Sequence, residues 1–86
     1  MTGYGQSGPY KDLVSHDINY ISMADCLGMI GEKGGAPVIP HNIIADFASG
    51  GMHGTIGMLA ALMVRERTGR GPFVDIARMS GENLWQ

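Results

Sequence analysis

Two short stretches carry the residue types that proton or acyl chemistry needs. The first, SHDINY (15–20), sets His16, Asp17, Asn19 and Tyr20 close together where an apolar-striped helix begins. An imidazole titrates near neutral pH, so a His at that place is equipped to take or give a proton. Backbone N–H groups at a helix start also stabilise an anion or an oxyanion. The competing reading is local: Ser15 and Asp17 cap the helix, and His16 is their exposed neighbour. The second stretch, NIIADFASGG (42–51), sets Asp46 among Ile43, Ile44, Ala45, Phe47 and Ala48. A carboxylate with such neighbours either finds a partner or is driven toward its neutral form by desolvation, and both situations recur in active sites. Ser49, Gly50 and Gly51 let a backbone or a ligand come close. Alternatively, Asp46 is a buried cap of the helix that follows.

Other motifs carry less. In TGYGQSGPY (2–10), Gly3, Gly5 and Gly8 fall at the G-x-G-x-x-G spacing. A dinucleotide fingerprint needs a strand before its first glycine and a helix opening at its third. Here only Met1 and Thr2 precede, and Pro9 follows, so the stretch reads as a tight turn. His41 and His53 have no Cys or acidic partner at metal-ligand spacing, which leaves them as surface histidines and predicts no metal. Cys26 lies inside an apolar helical segment and reads as core. The seven Met residues read as packing rather than a cofactor box.

The elements that must position these groups follow from periodicity. Tyr20, Met23, Leu27 and Ile30 recur at helical spacing, predicting one helix over 17–30 with Gly31 as its stop. GEKGGAPVIPHN (31–42) reads as a loop with a short extended piece at Val38–Ile39. A long helix follows, with Met52, Ile56, Leu59 and Met63 on one stripe and Met58, Leu62 and Val64 on other faces. A helix apolar nearly all round is expected to be buried. It turns polar only at Arg65–Glu66–Arg67, and Gly69 and Gly71 stop it. PFVDIA (72–77) reads as a short strand with Val74 and Ile76 on one face. Strand end, helix, loop, helix and strand make an α/β layer. One strand and one strand end do not make a sheet, so a remainder of chain or an interlocked oligomer is expected to complete it.

Composition agrees. Charged residues are 16% of 86, below the roughly 25% of ordinary domains, and 14 residues are Gly. Such a chain has much close packing and little solvated surface. A net charge of −2, with six scattered Lys and Arg apart from Arg65, Arg67 and Arg70, argues against nucleic acid as a partner. One Cys excludes an internal disulfide framework and fits a reducing, cytoplasmic setting. No secretory signal pattern opens the sequence. The longest apolar run, Ile56 to Val64, falls far short of the roughly 20 residues of a bilayer span, so no membrane is expected.

Taken together, TGYGQSGPY, SHDINY, ADFASGGMHGTIGMLAAL and RERTGRGPFVDIARM resemble the family III CoA-transferase superfamily, in particular its α-methylacyl-CoA racemase branch. The match is collinear over essentially all 86 residues and covers well under a third of a full-length member. Ser15 and Ser49 each stand where the family's motifs usually have Gly. The resemblance implies a partial, Rossmann-like α/β large domain, residues 1–86 being one interior segment of it, in chains that interlock as homodimers. It implies that His16 and Asp46 flank the α-carbon of an acyl-CoA thioester and exchange the roles of base and acid. The Asp17 N–H would face the thioester oxygen, and Ser15, Asp17, Ile18, Asn19 and Tyr20 would line the substrate. CoA enters as part of the substrate, and no separate cofactor is implied. Two alternatives accompany this reading. One is a CoA-transferase, in which Asp46 forms an aspartyl-CoA thioester. The other is an inactive assembly or interaction piece.

Overall fold

The structure is a computed structural model that describes residues 1–81. Three helices carry it. Helix α1 spans Asp17–Met23 and is followed by a single tight helical turn, Leu27–Met29. Helix α2 runs Ile43–Thr68, with its first part, Ile43–Met52, wound wide and the remainder, His53–Thr68, regular. Helix α3 is the short Arg78–Gly81.

The helix expected over 17–30 is therefore two pieces. Asp25 takes a left-handed backbone (φ 62°), which an α-helix cannot continue through, and Asp is among the few residues that adopt it readily. Beyond it, Leu27 and Ile30 of the expected stripe still turn inward, as does Cys26, whereas Met23 is exposed. Cys26 lies in the core with Tyr20, Ile21 and Ala45, and Tyr4, Leu27, Ile30, Ile44 and Met79 pack around them.

The wide winding of α2 has local causes. The His53 N–H donates to the Ala48 carbonyl, five residues back rather than four. Two adjacent glycines, Gly50 and Gly51, permit the wider turn at little steric cost, and such segments concentrate at functional sites. A Cβ on Gly50 would lie 3.3 Å from the Ala45 carbonyl and 3.3 Å from Arg78 Cγ, so a bare backbone is needed there. At the far end α2 stops at Gly69, left-handed at φ 77°, with its N–H on the Arg65 carbonyl at 2.7 Å.

The strand expected over PFVDIA is not formed, and among the described residues there is no strand. What remains is one parallel bridge, Thr2 to Ala77. The Thr2 N–H donates to the Ile76 carbonyl (2.8 Å) and the Arg78 N–H to the Thr2 carbonyl (3.0 Å). A strand exists through its neighbours, and the described residues supply only this pair. Val74 and Ile76 do share a face: both come within reach of Gly57, whose Cβ would sit 2.7 Å from Val74 Cγ1.

The burial expected of α2 is also absent. No residue of His53–Thr68 is buried. Ile56, Met58, Leu59, Leu62 and Met63 are all exposed, as are Phe47 and Met52 before them. The accessible surface is 6168 Å², against roughly 4,900 Å² for a compact monomer of this mass. As one continuous helix of 26 residues holding an 18-residue stretch of mean hydropathy 1.3, α2 is long and apolar enough to cross a bilayer by length and composition. The unbroken apolar run alone had suggested otherwise. Its own contacts suit protein better than lipid, because Asp46 is ion-paired within it and Gly57 is seated against Val74.

Candidate functional site

Helix α1 begins at Asp17, and the residue before it, His16, is the N-cap, with extended backbone (φ −124°, ψ 179°). Ser15 does not cap, contrary to expectation. Both of its polar groups serve tyrosines: its carbonyl accepts from Tyr20 Oη at 2.7 Å and its Oγ from Tyr4 Oη at 2.8 Å. The tyrosine rings meet edge to face at 5.0 Å, and Tyr20 is buried. Gly3 touches that ring so closely that a Cβ would overlap the Tyr20 hydroxyl. The glycine pattern at the N-terminus is thus a turn that lets the chain cross the Tyr20 ring.

His16 itself is exposed, and its side chain makes no capping bond. Its backbone is held by Asn19: the His16 N–H donates to Asn19 Oδ1 at 3.1 Å, and the Asn19 N–H donates to the His16 carbonyl at 3.0 Å. The imidazole is therefore carried on a fixed backbone and left open. Ile18 is half-buried beside it, with its carbonyl accepting from Ser22 Oγ at 2.6 Å.

Asp17 works across the fold instead of on its own helix. Its side chain is buried, and Oδ2 accepts the N–H of Ala45 at 2.7 Å and of Asp46 at 2.9 Å. Those N–H groups belong to the first turn of α2, where unpaired donors and the positive end of the helix dipole favour an anion. Asp17, not Asp46, is thus the carboxylate that caps α2.

Asp46 takes the paired outcome. Its Oδ1 accepts from Arg78 Nη1 at 2.9 Å, with the two side chains 16% and 29% exposed respectively. The Arg78 guanidinium also lies 5.9 Å from the centroid of the Tyr20 ring. Ser49 Oγ donates to the Arg78 carbonyl at 2.8 Å, tying α3 to α2 a second time. Arg78 is the residue that spacing missed, since it stands 32 positions from Asp46. The available signal was slight: Arg78 is the one cation after Arg70, and it follows an apolar VDIA run.

One hydrogen-bonded junction therefore joins SHDINY to ADF. His16 precedes Asp17 in sequence, and Asp17 binds the backbone of Asp46. Of the two groups singled out for proton chemistry, His16 stands one residue before that contact and Asp46 is part of it. One is an exposed imidazole and the other an ion-paired carboxylate. Ser15, Asn19 and Tyr20 serve this junction through the bonds above, and Tyr20 does so from within the core. Among the described residues no group of three His, Cys, Asp or Glu side chains is placed to hold a metal. Two open apolar grooves flank the start of α2. One, of about 350 Å³, is lined by Cys26, Met29, Ile30, Ile43, Ile44 and Ala48. The other, of about 490 Å³, is lined by Phe47, Gly51, Met52, Thr55 and Ile56.

Comparison with known proteins is consistent across the chain. The family model for CoA-transferase family III matches residues 1–86. Alpha-methylacyl-CoA racemase of Homo sapiens is 42% identical over 81 residues, covering 94% of this chain and 21% of its own. The beta subunit of succinyl-CoA–L-malate CoA-transferase from Chloroflexus aurantiacus is 40% identical over 83 residues, covering 90% and 19%. A crystal structure of a CAIB/BAIF family protein from Brucella suis has a TM-score of 0.82 at 30% identity, over 94% of this chain and 21% of that one. The chain spans about a fifth of the length of these relatives.

Proposed function

The chain belongs to CoA-transferase family III, and from that premise we propose that it carries the proton-transfer centre of an acyl-CoA racemase acting on a 2-methylacyl-CoA thioester. A thioester α-proton is weakly acidic, so inversion needs a base on one face of the α-carbon and an acid on the other. Asp46 as carboxylate takes the proton, and the electron pair left behind moves onto the thioester oxygen. His16 as imidazolium returns a proton to the opposite face, restoring the carbonyl. Asp46 ends protonated and His16 neutral, the state suited to the other epimer. The Asp17 N–H at the start of α1 would face the developing oxyanion.

The observation that supports this most is the Asp17 bridge. It ties the side chain of the residue after His16 to the backbone N–H of Asp46 at 2.9 Å, so acid and base sit on one junction instead of two separate loops. The α/β reading rests on the parallel Thr2–Ala77 pair, which would continue as neighbouring strands of a large-domain sheet. Further chain, or the second subunit of an interlocked dimer, would then cover the apolar faces of α2.

The test is exchange of the α-proton of a 2-methylacyl-CoA in D2O, followed by NMR with the full chain. His16→Ala and Asp46→Ala are each expected to abolish it, and full exchange by Asp46→Ala would remove the racemase assignment.

Transfer of CoA through Asp46 is the second reading. It is favoured by the 40% identity to a CoA-transferase subunit and by the Arg78 ion pair that orients the Asp46 side chain, the group that would act as nucleophile. Hydroxylamine trapping during turnover separates the two: a modification mapped to Asp46 supports transfer, and its absence supports racemisation.

A further inference from the structure

Arg78 meets Asp46 at 2.9 Å through Nη1, and its backbone and the face of its guanidinium are held as well, while its Nε is buried without a partner among the described residues. Its N–H donates to the Thr2 carbonyl at 3.0 Å, and its carbonyl accepts from Ser49 Oγ at 2.8 Å. Its guanidinium lies over Tyr20, whose own hydroxyl is fixed to the Ser15 carbonyl. Asp46 is held from the other side, by Asp17 on its N–H. The two partners are thus placed by contacts from the N-terminal turn, α1, α2 and α3, independently of their attraction to each other. Side chains without such support spend rotamer entropy to meet, which is why exposed ion pairs contribute little. This pair is mostly shielded from solvent and is also less screened by salt.

The charges around it give the contact a purpose. Asp17, from α1, gives its Oδ2 to the backbone at the start of α2, and Asp46, from α2, turns its own Oδ1 to Arg78 of α3.

On the racemase reading above, we infer that Arg78 is a positioning residue that holds the Asp46 carboxylate aimed at the α-carbon, so that Asp46 enters the proton-transfer cycle as the base. Arg78 stays protonated throughout and exchanges no proton with the substrate.

The experiment measures kcat and KM for α-proton exchange of a 2-methylacyl-CoA in D2O. The full chain is compared as wild type, Arg78→Met, Arg78→Lys, Asp46→Asn and the double variant Asp46→Asn/Arg78→Met. Arg78→Met is expected to lower kcat by about 10- to 100-fold, the scale on which a misplaced catalytic group costs rate, with KM changed less than about twofold. Arg78→Lys is expected to recover part of the loss, because it restores the charge without the fork. Asp46→Asn removes the base and with it the exchange, so the double variant is read by urea unfolding, where Arg78→Met is expected to cost less on the Asp46→Asn background than on wild type. A kcat loss in Arg78→Met that merely matches its loss of folded chain marks a purely structural Arg78 and overturns the inference. So does wild-type kcat in Arg78→Met, or a Lys variant no better than Met. Absence of exchange in the wild-type chain is the failure of the racemase reading. Normal wild-type exchange beside an unaffected Arg78→Met is the failure of this inference alone.

Discussion

Replacing Asp17 tests the junction at its narrowest point. Its Oδ2 accepts two backbone N–H bonds, at 2.7 and 2.9 Å, from the first turn of α2, and the residue is 4% exposed. Hydrogen bonds to a charged group contribute about 1.5–3 kcal/mol each. Asp17→Ala removes both, strands the fully buried Ala45 N–H, and deletes the anion at the positive end of α2. The expected loss is about 3–5 kcal/mol, a large share of the roughly 5–15 kcal/mol that holds a domain together. Asp17→Asn keeps an acceptor oxygen in place but loses the charge and puts an amide NH2 where the buried Oδ1 has no partner among the described residues, so about 1–3 kcal/mol is expected, less than for Ala. Urea unfolding of the full chain, followed by far-ultraviolet circular dichroism, measures both. The reasoning is refuted if Asp17→Ala unfolds within about 0.5 kcal/mol of wild type, or if Asn is as damaging as Ala.

Three further substitutions probe the same frame. Gly3→Ala would place a Cβ within 2.9 Å of the Tyr20 ring carbons Cε1 and Cζ; because that ring is buried and its hydroxyl is fixed, a loss of about 1–3 kcal/mol is expected in the same unfolding assay. Gly69→Ala forces a side chain into the left-handed end of α2 and is expected to cost about 1–2 kcal/mol, with Gly69→Asn costing less, as read from the unfolding midpoints. His16→Ala is expected to behave in the opposite way to Asp17→Ala. The imidazole is exposed and makes no capping bond, so stability should stay within about 0.5 kcal/mol of wild type while α-proton exchange is lost.

How much was legible in the sequence depends on the range over which each signal acts. Gly69 and the Arg65–Arg67 turn are local, and α2 ends where they say. The turn at Gly3, Gly5 and Gly8 was also local; Gly5 and Gly8 take φ of 96° and 95°, which glycine adopts freely. Asp46 among apolar neighbours announced that it needed something, and it found Arg78. Which cation answered was not legible, because nothing in a 32-residue separation predicts an approach of 2.9 Å. Asp17 was recognised as a cap but credited to the wrong helix, since local spacing cannot reveal a donor 28 residues away. The break at Asp25 was hidden because the apolar stripe continued across it. PFVDIA and α2 misled for one shared reason. Alternation and all-round apolarity forecast pairing and burial, but both require neighbours, and the described residues supply one bridge and bury no residue of the His53–Thr68 part of α2.

The most direct test of the central claim is the stereochemical fate of one epimer. A single epimer of a 2-methylacyl-CoA is incubated with the full chain in D2O, without any second carboxylic acid. The epimer ratio is followed by chiral chromatography and the label by mass spectrometry. The account predicts drift toward an equal mixture, with one deuterium at the α-carbon of each inverted molecule and the thioester intact. Retention of the starting epimer, with CoA moving to a second acid only when one is supplied, would contradict it.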